Sequence, residues 1–324
     1  MTSRVATDSE VETWRTHGWV VLEGLVGADE IAAARDDLRR TLPGVEAYHA
    51  DPEGVAARLR GGAAPPSEED GFWPEGGPGF HADQQLVSAS FPFRGDGTLN
   101  RLCVHPSVVD FAERALDHRD LRLYQIHLTA KYEGLAHYDQ PMHVDRNHSW
   151  LPAVGRAPWW NLELFLYLSD VTDADNPTRV VSVGDTAALV PERTPVLMPD
   201  VAPAVYRAER PATGPAGSLL AYRSDVFHRG AAFATPGSSR TVLALAFRRA
   251  GHEWIGYDQA QSRSTETEWV RFAERCTPHE LALFGFPPPG HPIWTDDLLD
   301  ATAVRYPLMD LGPWREALPG TTRS

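Results

Sequence analysis

Cysteine, lysine and methionine are scarce in this chain, whose 324 residues hold two cysteines, four methionines and, among 30 basic side chains, one lysine, Lys131. Cys103 and Cys276 lack metal-ligand spacing and are too few for a disulfide scaffold, so both are expected to be buried thiols. Positive charge is short as well: 44 acidic residues leave a net charge of −14. That balance excludes the basic face that nucleic acid or an anionic membrane would need. No apolar run approaches a membrane span, and the N-terminus has no basic segment followed by an apolar one. The expectation is a soluble, cytoplasmic protein whose partner is a small molecule. Twenty-nine arginines against one lysine fit a GC-rich bacterial coding bias. The lone lysine is therefore worth locating.

What is present is a folding composition: 42% hydrophobic and 10% aromatic residues argue against disorder, and 27 Pro with 26 Gly imply many turns. One domain over 1–324 is expected, with its core at about 10–250. Asp8 or Ser9 can cap a helix ending near His17-Gly18, WVVLEGL reads as a strand, and Gly27-Ala28-Asp29 precedes a helix carrying Ile31, Ala34 and Leu38. Residues 43–100 break into Gly, Pro and acidic residues around Phe72, Trp73 and Phe80, the pattern of a lid-like insertion. A helix over 105–117 comes next. Strand-like runs then follow at 121–132, 142–145, 161–171, 178–183, 217–230 and 240–249, and they predict an antiparallel sandwich or barrel. From 251 to 324 the pattern is a helical extension, which could pack on the core, cover a pocket or form a homodimer contact.

Three tripeptides have the form His-x-Asp. His81-Ala82-Asp83 falls in the insertion with no strand to hold it, and His118-Arg119-Asp120 lacks the other elements of the kinase loop it imitates. His143-Val144-Asp145 sits in an extended segment, where residues two apart share a face and can grip one ion. A selective site needs a third ligand from a distant strand, and His228, at the end of GSLLAYRSDVFH, is the best candidate. Two histidines and one carboxylate fill one face of an octahedral ion and leave the rest open, as non-haem Fe(II) oxygenases require. Arg240 opens the next strand and can grip a carboxylate in two-pronged fashion. That arrangement suits 2-oxoglutarate: its 2-oxo acid end on the metal, its distal carboxylate on Arg240, and one position left for O2.

These residues resemble the phytanoyl-CoA dioxygenase family of Fe(II)/2-oxoglutarate-dependent oxygenases over roughly residues 10–250. The likeness runs through WRTHGWVVLEGLVGADEIAAARDDL, YQIHLTAKY, the HVD box with Trp150 after it, NLELFLYLSDV, and GSLLAYRSDVFHRG with its trailing arginine. The resemblance implies a mainly β double-stranded β-helix (jelly-roll, cupin-like) core flanked by helices. It makes His143, Asp145 and His228 the iron ligands and Arg240 the 2-oxoglutarate anchor, and it sets Lys131 and Phe165 beside the cosubstrate. By alternation Gln125, His127 and Thr129 share a face with Lys131, a row polar enough to line a pocket, and Gln125 is expected with Lys131 on the cosubstrate side. Glu163 and Tyr167 lie on one face of their strand with Phe165; with His127 and Trp150 they are the expected substrate contacts. Three departures stand out: Val144 where many members have Gln, VVSVGDTAAL in place of a Pro-Gly-Ser-His loop end, and no Asn between His228 and Arg240.

The expected activity is hydroxylation of a small apolar or cationic metabolite, a natural-product tailoring step, with release of succinate and CO2. Because Asp145 occupies the carboxylate position, halogenation is not expected. A non-redox cupin-like metal enzyme, such as an isomerase or epimerase, and a non-catalytic metabolite-binding protein are the alternatives.

Overall fold

The computed structural model describes residues 2–42, 44–51, 53–55, 79–81, 86–134, 139–145, 157–190, 196–252, 255–256 and 267–318. The strands among them are β1 (Trp19–Leu22), β2 (Gly79–His81), β3 (Leu86–Ser90), β4 (Leu121–Tyr132), β5 (Met142–His143), β6 (Leu162–Tyr167), β7 (Thr178–Val180), β8 (Val196–Leu197), β9 (Arg210–Ala212), β10 (Leu219–Arg223), β11 (His228–Gly230) and β12 (Ser239–Arg249). They form a seven-stranded sheet in the order β1-β10-β6-β12-β4-β3-β2 and a five-stranded sheet in the order β8-β5-β11-β7-β9. Every pairing is antiparallel, and the two sheets make an open jelly-roll sandwich rather than a closed barrel.

Alternation explains why the large sheet has two unlike faces. Leu121, Leu123, Ile126, Leu128, Ala130 and Tyr132 of β4, with Leu162, Leu164 and Leu166 of β6 and Leu243, Leu245 and Phe247 of β12, enter one buried apolar cluster with the helices outside the sheet. The intervening residues face the small sheet. Gln125 opposes Ala246 and Leu123 opposes Phe247, so Tyr124 is an extra residue, a β-bulge. The bulge lets Tyr124 and Gln125 both turn inward, and Tyr124 packs there on Ala246 and Ile255. A smaller apolar cluster of Tyr167, Val171, Val180, Ala212, Leu220, Tyr222, Val226 and Val242 joins the two sheets.

The helix Asp8–His17 forms where expected, but its cap is Thr7 and not Asp8 or Ser9. Thr7 accepts from the Glu10 amide (3.2 Å) while its own amide donates to the Glu10 carboxylate (2.7 Å). Gly18 ends it at φ 83, where a side chain would meet Val183 and Val226 at 2.7 Å. The helix expected after Gly27 divides into Ala28–Ala33 and Arg35–Thr41. Part of the 43–100 insertion is sheet: β2 and β3 extend the large sheet beyond β4, which gives His81 a strand after all. Phe72 and Trp73 lie outside the described residues. The run 217–230 is two strands, not one. Arg223 clamps the Asp225 carboxylate at 2.8 and 2.6 Å and Val226 N donates to Arg223 O, a turn that carries the chain from the large sheet to the small one. The helices after residue 267 pack on the core, where Trp269, Phe272, Leu281 and Trp294 are buried and Phe284 is half-buried. Cys103 is buried and Cys276 partly so. No described helix is long and apolar enough to cross a membrane.

Candidate metal centre

β5 and β11 lie side by side with His143 and His228 as register partners. The approach to β5 is pinned to β11 by main chain and side chain together. Gln140 N donates to Gly230 O and Gly230 N to Gln140 Oε1, both at 2.9 Å, and Ala232 N donates to Asp139 Oδ1 at 2.7 Å. Arg229 holds β11 from the other side through a two-pronged pair with Glu209 (2.7 and 2.8 Å).

Each histidine then has its tautomer set by a carbonyl two residues back. His143 Nδ1 lies 2.8 Å from Pro141 O and His228 Nδ1 lies 3.1 Å from Val226 O. A carbonyl only accepts, so both Nδ1 atoms carry the proton and both Nε2 lone pairs are left for a metal. One ligand atom from each of His143, Asp145 and His228 falls within 4.8 Å of the others, the only such group of three among the described residues. The imidazoles are 4.5 Å apart, and His228 Nε2 is 3.6 Å from Asp145 Oδ2. Burial, and then the neighbouring His228, push His143 below its ordinary pKa, which favours the neutral, ligating form. The donor set fits a divalent first-row metal with open positions.

Behind this cluster, Arg240 of β12 and Lys131 of β4 are register partners, and both are buried. Arg240 Nη1 donates to Asn176 O (2.7 Å) and Thr178 Oγ1 (3.1 Å), whereas its buried Nε has no hydrogen-bond partner. Among the described residues no carboxylate forms an ion pair with either cation. Burial, then the Arg240 charge, push the Lys131 ammonium down to about 7. Two buried cationic side chains side by side, one with an unpaired guanidinium N–H, fit a carboxylate supplied from outside. Gly230 passes close by, since a Cβ there would stand 3.1 Å from Lys131 Nζ.

The rest of the inner face follows the register. Gln125, Ala246, Glu163 and Tyr222 form one row across β4, β12, β6 and β10, and His127, Ala244, Phe165 and Leu220 form the next. The two alanines leave a shallow floor between polar and aromatic walls. Gln125 and His127 are half-buried as residues, with Gln125 Oε1 and both His127 ring nitrogens buried, and Phe165 packs edge-on against Tyr222 at 5.6 Å. Glu163 points inward as expected and is buried, accepting from Asn161 Nδ2 (2.7 Å) and the Tyr124 hydroxyl (2.5 Å). Tyr167, expected to touch substrate, is instead fully buried in the cluster between the sheets, with its hydroxyl donating to Ala212 O (2.7 Å). Trp150 lies outside the described residues.

Several residues of the site had no signal in the sequence. Tyr222 sits in the apolar run LLAYR, where a tyrosine reads as core, yet its hydroxyl donates to Asp145 Oδ2 at 3.3 Å and its ring lies 4.7 Å from that of His228. Burial, then the Asp145 and Glu163 charges, push its phenol well above the ordinary value. Gln140, Asn176 and Thr178 were equally unmarked.

The phytanoyl-CoA dioxygenase (PhyH) family model matches residues 14–242. Among solved structures, the non-heme alpha ketoglutarate dependent carbocyclase SnoK from nogalamycin biosynthesis is 17% identical with a TM-score of 0.52, over 82% of this chain and 92% of that one. That likeness supports the same fold. The epimerase SnoN, solved with Fe3+, alpha ketoglutarate and nogalamycin RO, is 18% identical (TM-score 0.47; 75% and 83% covered). HygX from Streptomyces hygroscopicus, solved with nickel, 2-oxoglutarate and hygromycin B, is 14% identical (TM-score 0.46; 76% and 88% covered). No functionally curated protein matches the chain.

Proposed function

The chain belongs to the phytanoyl-CoA dioxygenase family, and on that premise we propose that it is an Fe(II)- and 2-oxoglutarate-dependent oxygenase that hydroxylates a small-molecule metabolite. One observation carries the reading. Three ligand atoms converge within 4.8 Å in front of a buried Arg240 whose Nε has no partner. A non-redox metal enzyme has no use for that second feature, and a bare binding protein would tolerate loss of one of the ligands.

His143, Asp145 and His228 would hold the iron on one face. The unpaired Arg240 N–H and the Lys131 ammonium would take the distal carboxylate of 2-oxoglutarate, with Thr178 and Asn176 keeping the guanidinium in place. When bound, iron with 2-oxoglutarate and O2 supplies an oxidant able to break a substrate C–H bond, releasing succinate and CO2. The protein's share is orientation and exclusion of water. Phe165 and Gln125 would lie beside the cosubstrate, while His127 and Glu163 would offer polar groups to the substrate. Asp145 fills the carboxylate position, so hydroxylation is preferred over halogenation; product analysis separates it from epimerisation or desaturation at the same centre.

Anaerobic addition of 2-oxoglutarate to the Fe(II)-loaded protein is the test. A visible charge-transfer band that is lost in His228→Ala supports chelation at this centre. No band, or a band unchanged in that variant, overturns it.

A further inference from the structure

We propose that Tyr222 is a positioning residue for Asp145, its hydroxyl holding the carboxylate in the orientation that receives the metal. The inference rests on the reading of His143, Asp145 and His228 as ligands. The two histidines are aimed by main-chain carbonyls two residues back in the chain, those of Pro141 and Val226. Asp145 lies two residues beyond the end of β5, past the last register pair of that strand. The Tyr222 hydroxyl reaches it from the opposite sheet, donating to Oδ2.

Tyr222 is well placed for this work because its backbone and its ring are both held. Its backbone is paired on both sides, to Trp19 of β1 and to Glu163 of β6. Its ring is 2% exposed and packed between His228 (4.7 Å) and Phe165 (5.6 Å). The hydroxyl is thus a fixed point in the gap between the sheets, and it donates to Oδ2, the oxygen that lies 3.6 Å from His228 Nε2. Rotating the carboxylate away from the histidines breaks that hydrogen bond. A donor on a ligating oxygen also draws electron density from it, so the same contact tunes how strongly Asp145 donates to the metal.

Co(II) binding to the metal-free full-length protein, followed by calorimetry and by the visible d–d bands, is the test. Tyr222→Phe removes one buried oxygen and keeps the ring. It should weaken Co(II) affinity by roughly tenfold or more and alter the d–d envelope, while the metal-free variant unfolds at the wild-type temperature. In an Asp145→Ala background the same substitution should change the residual affinity no further. Tyr222→Leu, which also empties the ring's space, should lower the unfolding temperature as well. Wild-type affinity and spectrum in Tyr222→Phe, or a loss seen only in Tyr222→Leu and tracking its stability, reduces Tyr222 to packing and overturns the proposal. Failure of the wild-type protein to bind Co(II) would instead overturn the metal reading itself.

Discussion

The two faces of the large sheet are built from the same strands yet obey opposite rules. The outer face of β4, β6 and β12 is leucine, isoleucine and phenylalanine, closed by the terminal helices. The inner face carries Gln125, His127, Thr129 and Lys131 opposite Ala246, Ala244, Val242 and Arg240. On one side every side chain has an apolar neighbour; on the other, charge and small side chains sit together with an unpaired guanidinium N–H. Most of the large sheet's apolar burial lies outside, and the candidate site lies inside. A substitution on one face should therefore spare the property that the other face carries.

Arg240→Gln should give the largest separation. Removing one partner of a buried charge pair costs about 4 kcal/mol, close to a thousandfold, so the KM for 2-oxoglutarate should rise by that order. The metal-free protein should unfold no earlier, because an uncompensated buried charge has been removed. Leu164→Ala is the mirror experiment: a fully buried outer-face leucine whose loss should cost about 3 kcal/mol in denaturant unfolding, with KM nearly unchanged in the folded fraction.

A third separation comes from pH. The Lys131 pKa falls from 10.5 to about 7 on folding, so between those values the unfolded chain binds more protons and the metal-free protein gains stability as pH rises. A bound carboxylate reverses the preference. Binding of 2-oxoglutarate then takes up a proton above pH 7 and should weaken from pH 7 to 9, by at most about tenfold per unit. Lys131→Met should bind more weakly at pH 7 and lose the slope. Gln125→Leu is expected to be nearly neutral for stability, since Gln125 Oε1 is buried without a partner, but to change the KM for 2-oxoglutarate. Gly230→Ala should be milder than these: its Cβ would stand 2.9 Å from Gln140 Oε1 and 3.1 Å from Lys131 Nζ, so the ends of two long side chains must give by a few tenths of an ångström. A shift in cosubstrate affinity worth about 1 kcal/mol is expected.

The same contrast decides how much was legible in the sequence. β4 and β12 declared themselves because long alternation is a strong signal, and with it came the inward row ending at Lys131. His143 and Asp145 became readable only through His228 and Arg240 far along the chain, since His-x-Asp recurs twice as a decoy. The break between β10 and β11 was hidden because the turn is made by Arg223, Ser224 and Asp225, without the glycine or proline that usually marks one. That break puts His228 on the facing sheet and not on the strand of Tyr222. β2 and β3 escaped notice within a segment rich in Gly and Pro. Tyr167 and Tyr222 show the limit most plainly: both are inward tyrosines on neighbouring strands, and only three-dimensional contact separates the one that bonds Ala212 O from the one that bonds Asp145.

The bulge at Tyr124 also bears on how such a chain can change by insertion and deletion. Both halves of β4 keep the same phase toward β12 because the extra residue is absorbed there. Loss of that single codon would leave Leu121, Leu123, Ile126 and Leu128 facing outward and remove chiefly the hydroxyl that meets Glu163. Loss of a codon between 126 and 132 would instead turn one half of the strand over, exchanging lysine for leucine beneath the helices. Position 124 is thus where the coding sequence can lengthen or shorten by one residue and still specify the same two faces.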